Sequence, residues 1–197
     1  KQAQAFPGQV ILADQNSGVR TYRDIIIAIM LLKPEIEKLP GRYVGIMMAA
    51  SAVTPIIYLA AVFAGKVPVM VNWTVGIRNM AASLDRLGVQ HVLTAGLLVR
   101  RIETLGTDLG GLKSRFVLMD ELGRKFTKAA RLAAWLKSRT SWKSLETAEV
   151  QDTAVVLFTS GSESLPKAVP LTHENFLTNM RDIAQVFAFS RRDRMIG

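Results

Sequence analysis

Cysteine is absent from the 197-residue chain, and histidine occurs only twice. Without cysteine there is no disulfide framework, no thiolate metal site and no enzyme-bound thioester on this segment, so any thiol must come from a partner. His91 and His173 stand far apart with no cluster around either, which argues against a His-rich metal centre or a complete Ser-His-Asp triad. Neither begins a His-x4-Asp pair, because Gly96 and Thr178 hold the aspartate positions. Aromatics make up 7% of the chain, and Phe116, Phe126, Trp135 and Trp142 are not interleaved with the basic residues around them as a stacking platform. That sparseness argues against nucleic acid as the partner.

An uncharged run, residues 44–65, is long enough for a membrane span. Pro55 and the candidate cap residues Ser51 and Thr54 divide it, however, into a strand-like stretch at 43–49 and a helix-like one at 55–64. A buried strand followed by a buried helix has the same hydropathy as a span. With 49% hydrophobic and 21% charged residues, the composition is that of a globular protein able to bury a core. Lacking an initiator methionine, a secretory leader and a recognisable stop, residues 1–197 read as one α/β fragment of a longer protein.

A hairpin opens the chain, with strands at 10–13 and 19–22 around Asn16-Ser17-Gly18. Thr21 and Asp24 then form a helix-start signature, followed by Ile25, Ile26, Ile29, Leu32 and Ile36 at helical spacing. Pro34 predicts a kink or division near Leu32. Short Val/Ile/Leu/Met-rich strands at 43–49, 67–71, 89–94, 116–119 and 154–158 alternate with helices at 55–64, 78–87, 96–105, 127–139 and 174–187. The alternation predicts a doubly wound, mostly parallel α/β sheet with helices on both faces and ligands beyond the carboxyl ends of the strands.

One such end leads into the most informative segment, Thr159-Ser160-Gly161-Ser162-Glu163-Ser164-Leu165-Pro166-Lys167-Ala168. Small residues leave backbone N–H groups uncovered, hydroxyls add donors, and Lys167 adds a mobile positive charge, a combination suited to a polyphosphate. The expected order is strand, loop, then helix start. Pro166 and Ala168 stand where GxxxxGK[ST] requires Gly and Ser/Thr, so this is not an ordinary P-loop.

Phe158, Thr159, Ser160, Gly161, Ser162, Pro166, Lys167 and Val169 resemble the signature [YF]-T-S-G-[ST]-T-G-x-P-K-G-V of the adenylate-forming, or AMP-binding, superfamily. Ser164 and Ala168 depart from it at two glycine positions, and Glu163 stands where threonine is commonest. Residues 18–24, with Thr21-Tyr22-Arg23-Asp24, resemble the superfamily's T-Y-x-[ED] helix start, and residues 60–69 its A-G-x-x-P element. Within the superfamily, residues 67–76 and the acidic loop residue look closest to the acyl-[acyl-carrier-protein] synthetase half of bifunctional acyltransferases that re-acylate 2-acyl-glycerophosphoethanolamine.

The resemblance implies activation of a fatty acid by ATP and magnesium through an acyl-adenylate, then transfer to a phosphopantetheine thiol of acyl-carrier protein or coenzyme A. By the same carry-over, Thr159, Ser160, Gly161, Ser162 and Lys167 would hold the β- and γ-phosphates, with Glu163 turned away or towards magnesium. Ser164, if it needs a positive φ, would cost about 1 kcal/mol. The later acids and catalytic lysine of the family lie outside these residues. No catalytic residue is therefore expected here, and the segment alone is expected to be inactive. The location implied is the cytoplasmic side, with attachment to the inner membrane through other parts of the parent protein.

Charge is unevenly placed. Residues 100–143 hold eleven Lys/Arg against four Asp/Glu, most of the chain's formal +9. In the helix expected at 127–139, Lys128, Arg131 and Arg139 share a face with Trp135, while Leu132 and Leu136 are expected to point elsewhere. That face could meet an anionic membrane or an acidic carrier protein, or serve as a solvated basic surface. Two other functions remain: a basic membrane- or nucleic-acid-binding module without catalysis, and a degenerate adenylating scaffold.

Overall fold

In a computed structural model of the protein, residues 1–159, 166–190 and 193–194 are described. Strands β1 (Val10–Asp14) and β2 (Gly18–Thr21) pair antiparallel as the expected hairpin, after a short helix α1 (Gln2–Ala5) that the sequence did not signal. Helix α2 (Tyr22–Glu37) starts on a full capping box, in which the Asp24 N–H donates to Thr21 Oγ1 at 3.2 Å and the Thr21 N–H donates to Asp24 Oδ2 at 2.8 Å. Pro34 does not divide this helix. It falls in the last turn, so the bond it removes and the bend it favours affect only the end of the helix. Ile36, 1% exposed, anchors that turn in the core.

Strands β3 (Tyr43–Met47), β4 (Val67–Met70), β5 (Val92–Thr94), β6 (Phe116–Leu118), β7 (Thr153–Thr159) and β8 (Lys167–Thr172) form one sheet in the order β6-β5-β3-β4-β7-β8. All pairings are parallel except β7–β8. Helices α3 (Val53–Phe63), α4 (Ile77–Arg86), α5 (Gly96–Thr104), α6 (Met119–Lys125), α7 (Lys128–Thr140), α8 (Lys143–Glu146) and α9 (His173–Val186) complete the chain with two 3-10 turns, Trp73–Val75 and Gly110–Arg115.

Alternation along the strands divides the interior in two. Val44 and Ile46 of β3 and Leu93 of β5 join α2 and α3 in one apolar cluster. Met47, Val67, Val69, Val92 and Val156 point the other way, into a cluster with Met80 and Leu84 of α4 and Leu98 and Ile102 of α5. This is the expected doubly wound α/β architecture. The uncharged run of residues 44–65 becomes β3 and α3, and among the described residues no helix is long and apolar enough to cross a membrane.

The start of α3 differs from expectation. It begins at Val53, ahead of Pro55, and Ala52 at its N-cap offers no side-chain bond. Thr54 Oγ1 instead donates to the Ala49 carbonyl at 2.6 Å. The Ala52 N–H donates at 2.6 Å to Asp14 Oδ2, thirty-eight residues earlier. Asp14 also accepts from the backbone N–H groups of Asn16 at 2.7 Å and Ser17 at 2.6 Å, and from the Ser17 hydroxyl at 2.5 Å. The Ser17 hydroxyl, followed by the Ser17 and Ala52 N–H groups, holds this carboxyl well below the usual carboxylate range.

Two tests follow from this packing. At Gly45, a Cβ would lie 2.9 Å from Val92 Cγ2 and 3.2 Å from Val71 Cγ2 inside the sheet. Gly45→Ala is therefore expected to destabilise the chain by about 1–3 kcal/mol in urea unfolding; unchanged stability would mean that β3 and β5 can separate freely. Asp14 has a lowered folded-state pKa, so its contribution is complete above the unfolded value near ~3.9 and is lost as pH falls towards the folded one. Asp14→Asn should lower the melting temperature at neutral pH, and its gap from wild type should narrow below about pH 4.

Candidate nucleotide-binding site

The site is built on the β7–β8 hairpin. β7 joins the sheet through β4, with Val69 paired to Val156, and its carboxyl end lies on the same edge as those of the other parallel strands. β8 returns antiparallel, in register from Thr159↔Lys167 to Val155↔Leu171 and shifted beyond it to pair Thr153 with Thr172. Thr159 and Lys167 therefore face each other across the mouth of the loop. Ser160, Gly161, Ser162, Glu163 and Ser164 lie outside the described residues, so their expected places in a phosphate cradle rest on sequence.

The segment after Lys167 is not the expected helix start. Residues 167–172 form an edge strand, where Pro170 can be accommodated because an edge need not donate on its outer side. The N-terminus of α9, closed by a Thr172–Asn175 capping box, lies at the far end of β8. Six residues of strand separate it from the loop by about 17–20 Å, so α9 supplies no dipole there. Phosphate at this mouth would depend on backbone N–H groups, hydroxyls and the Lys167 ammonium. Lys167 is exposed and has no ion-pair partner among the described residues. Those residues also contain no group of three His, Asp or Glu able to hold a metal ion.

Ala168, at one of the signature's glycine positions, is half-buried opposite Phe158 and packs against the second apolar cluster. No non-glycine residue has a positive φ among those described, so alanine fits this position without backbone strain.

A residue that the sequence reading passed over sits beside the hairpin. Asn72 follows β4 and caps the turn Trp73–Val75, accepting from the Thr74 N–H at 2.9 Å and the Thr74 hydroxyl at 2.8 Å. Val71, Asn72, Val75, Phe158, Thr159 and Pro166 line a cavity of about 140 Å³ between the ends of β4 and β7. Asn-x-Thr after a strand was the available signal. The other two motif segments are structural: Thr21 and Asp24 cap α2, while Lys66 Nζ donates to the carbonyls of Leu39 at 2.5 Å and Gly41 at 3.0 Å.

The basic face lies elsewhere, on α7. Lys128, Arg131 and Arg139 are exposed as expected, and the Arg139 guanidinium stacks 4.7 Å from the Trp135 ring centroid. Leu132 and Leu136, expected to point elsewhere, are exposed beside them at 57% and 49%; Ala134 and Ser138 form the inner face.

The whole chain, residues 1–197, matches the family described as AMP-binding enzyme. The chain belongs to this family. Among curated relatives of this AMP-binding chain, a medium/long-chain-fatty-acid–CoA ligase of Mycobacterium tuberculosis is 29% identical over 138 residues, covering 70% of this chain and 22% of that protein. A medium-chain fatty-acid–CoA ligase of Escherichia coli is 27% identical over 191 residues, 91% of this chain and 33% of that protein. The chain thus spans a third or less of these ligases. O-succinylbenzoate coenzyme A synthetase from Bacillus subtilis, solved with AMP, shares the fold with a TM-score of 0.71 at 18% identity, over 98% of this chain and 46% of that one. The same enzyme solved with ATP and magnesium aligns with a TM-score of 0.68 at 17% identity, over 96% of this chain and 46% of that one.

If Lys167 holds phosphate, Lys167→Ala should weaken ATP binding by about ten- to a hundredfold, the worth of a charge-assisted contact, with little change in melting temperature. Equal ATP affinity in a calorimetric titration would remove Lys167 from the site.

Proposed function

We propose that this AMP-binding chain is the phosphate-holding part of a ligase that activates a fatty acid with ATP. The observation behind the proposal is the hairpin at the carboxyl edge of the sheet, whose hydroxyl-rich loop is bracketed by Thr159 and Lys167. The fatty-acid–CoA ligases among its relatives support the choice of substrate.

In the first step a fatty acid carboxylate oxygen bonds to the α-phosphorus of ATP, and the bond to pyrophosphate breaks. In the second, a phosphopantetheine thiol gives up its proton, its sulfur bonds to the acyl carbon, and AMP departs. The obstacle to the first step is repulsion between the carboxylate and the triphosphate. Fixed donors and a cation at the β- and γ-phosphates reduce it and hold the α-phosphorus in line. Lys167 and the Thr159 end of the loop serve that positioning role, and neither is an acid or base in the reaction. Magnesium, bound with the nucleotide, would neutralise further charge.

In the finer reading, the thiol belongs to acyl-carrier protein rather than coenzyme A, and the product feeds re-acylation of phospholipid at the cytoplasmic side of the inner membrane. This rests on the likeness of residues 67–76 and the acidic loop residue Glu163 to that subgroup.

The test is exchange of labelled pyrophosphate into ATP by the intact protein. Exchange is expected only with fatty acid present and should fall sharply in Lys167→Ala. ATP binding without exchange would make the chain a nucleotide-binding scaffold instead.

A further inference from the structure

We infer that the outer face of α7, with the cavity at its C-terminal end, docks the protein on a bilayer containing anionic phospholipid. Three observations converge on this face. First, Leu132, Trp135 and Leu136 are exposed together at 57%, 38% and 49%, and Lys128, Arg131 and Arg139 frame them. Aliphatic and indole side chains at the centre with long cationic side chains around them match the anatomy of a helix lying in a membrane interface.

Second, a cavity of about 630 Å³ opens where α7 gives way to α8 and meets the start of α2, and Arg23, Arg139 and Lys143 all line it. None of the three has a carboxylate partner among the described residues. Asp24, next to Arg23, is committed to the capping box of α2. The one carboxylate lining the cavity, Glu146, accepts from the Gln4 side-chain amide at 3.3 Å. Three cations against one carboxylate favour an anion, and the phosphodiester of a lipid headgroup fits a cavity beside apolar side chains that enter the acyl boundary.

Third, the cavity wall and the exposed face form one unit. The Trp142 indole N–H donates to the Ser138 carbonyl at 2.9 Å, and the Ser138 hydroxyl donates to the Trp135 carbonyl at 2.7 Å. Headgroup capture and insertion of Trp135 would therefore act on the same turn. An acidic protein could pair with the cations but would leave Leu132 and Leu136 without a role. The inference does not depend on the nucleotide site, and its test uses no ATP.

Flotation of the chain with vesicles of phosphatidylcholine, and with vesicles containing roughly one-third phosphatidylglycerol, decides the matter. Binding is expected only to the anionic vesicles, with a blue shift of tryptophan emission that Trp135→Phe removes. It should be lost at about 1 M salt, where the screening length is about 3 Å. Lys143→Glu should weaken it by more than about tenfold, since each surface cation is worth about fivefold. Leu132→Asp should do the same while the melting temperature stays within a few degrees of wild type. No vesicle binding would overturn the inference, as would equal binding by folded Lys143→Glu and Leu132→Asp variants. It would also fail if inorganic phosphate or an acidic carrier protein bound this face and anionic vesicles did not.

Discussion

The parallel contact between β4 and β7 is the constraint on which the rest of the site depends. Val69 and Val156, its registered pair, are more than eighty residues apart in sequence and both are buried. Parallel strands cannot be joined by a tight turn, so the chain between β4 and β7 leaves the sheet edge and returns through α4, α5 and the elements that follow. Once closed, it brings the end of β4, with Asn72, against Phe158 and Thr159 at the end of β7. β8 then needs only its neighbour, and its first residue comes to face Thr159. The positions of Thr159 and Lys167 are thus set by a long-range strand contact and not by the loop between them.

Much of this was legible in the residues. The short Val/Ile/Leu/Met-rich runs at 43–49 and 67–71 predicted strands covered on both faces, and Thr21 with Asp24 the start of α2. What escaped detection had non-local causes. β8 is short and contains a proline, and it becomes a strand only because β7 offers it an edge. The cap of α3 is supplied by Asp14 from another element, so a local search selected Ser51 and Thr54 instead. On α7, helical spacing located Leu132 and Leu136, but only packing against α2 decided that Ala134 and Ser138 turn inward. The loop residues were legible as chemistry alone, since residues 160–165 lie outside the described residues.

The motif segments divide by role. The early Thr-Tyr-x-Asp segment and the Ala-Gly-x-x-Pro element anchor a helix and a turn, and neither reaches the hairpin mouth. Their shared spacing with the AMP-binding family therefore records a common scaffold. The third segment is the one proposed to hold phosphate, and its departures from the signature have unequal weight. Ala168 sits in a strand that has room for it, whereas Glu163 alters the charge offered to a polyanion.

Asp14 has one further consequence. It closes its own hairpin turn through Asn16 and Ser17 and also receives the Ala52 N–H. Because strand side chains alternate faces, a single residue added to β1 before Asp14 would swing the carboxylate to the opposite side of the hairpin and leave α3 uncapped. The hairpin therefore acts as a ruler. Length variation is expected to be tolerated before β1 or in the outer loops, and to be absent between Val10 and Ser17.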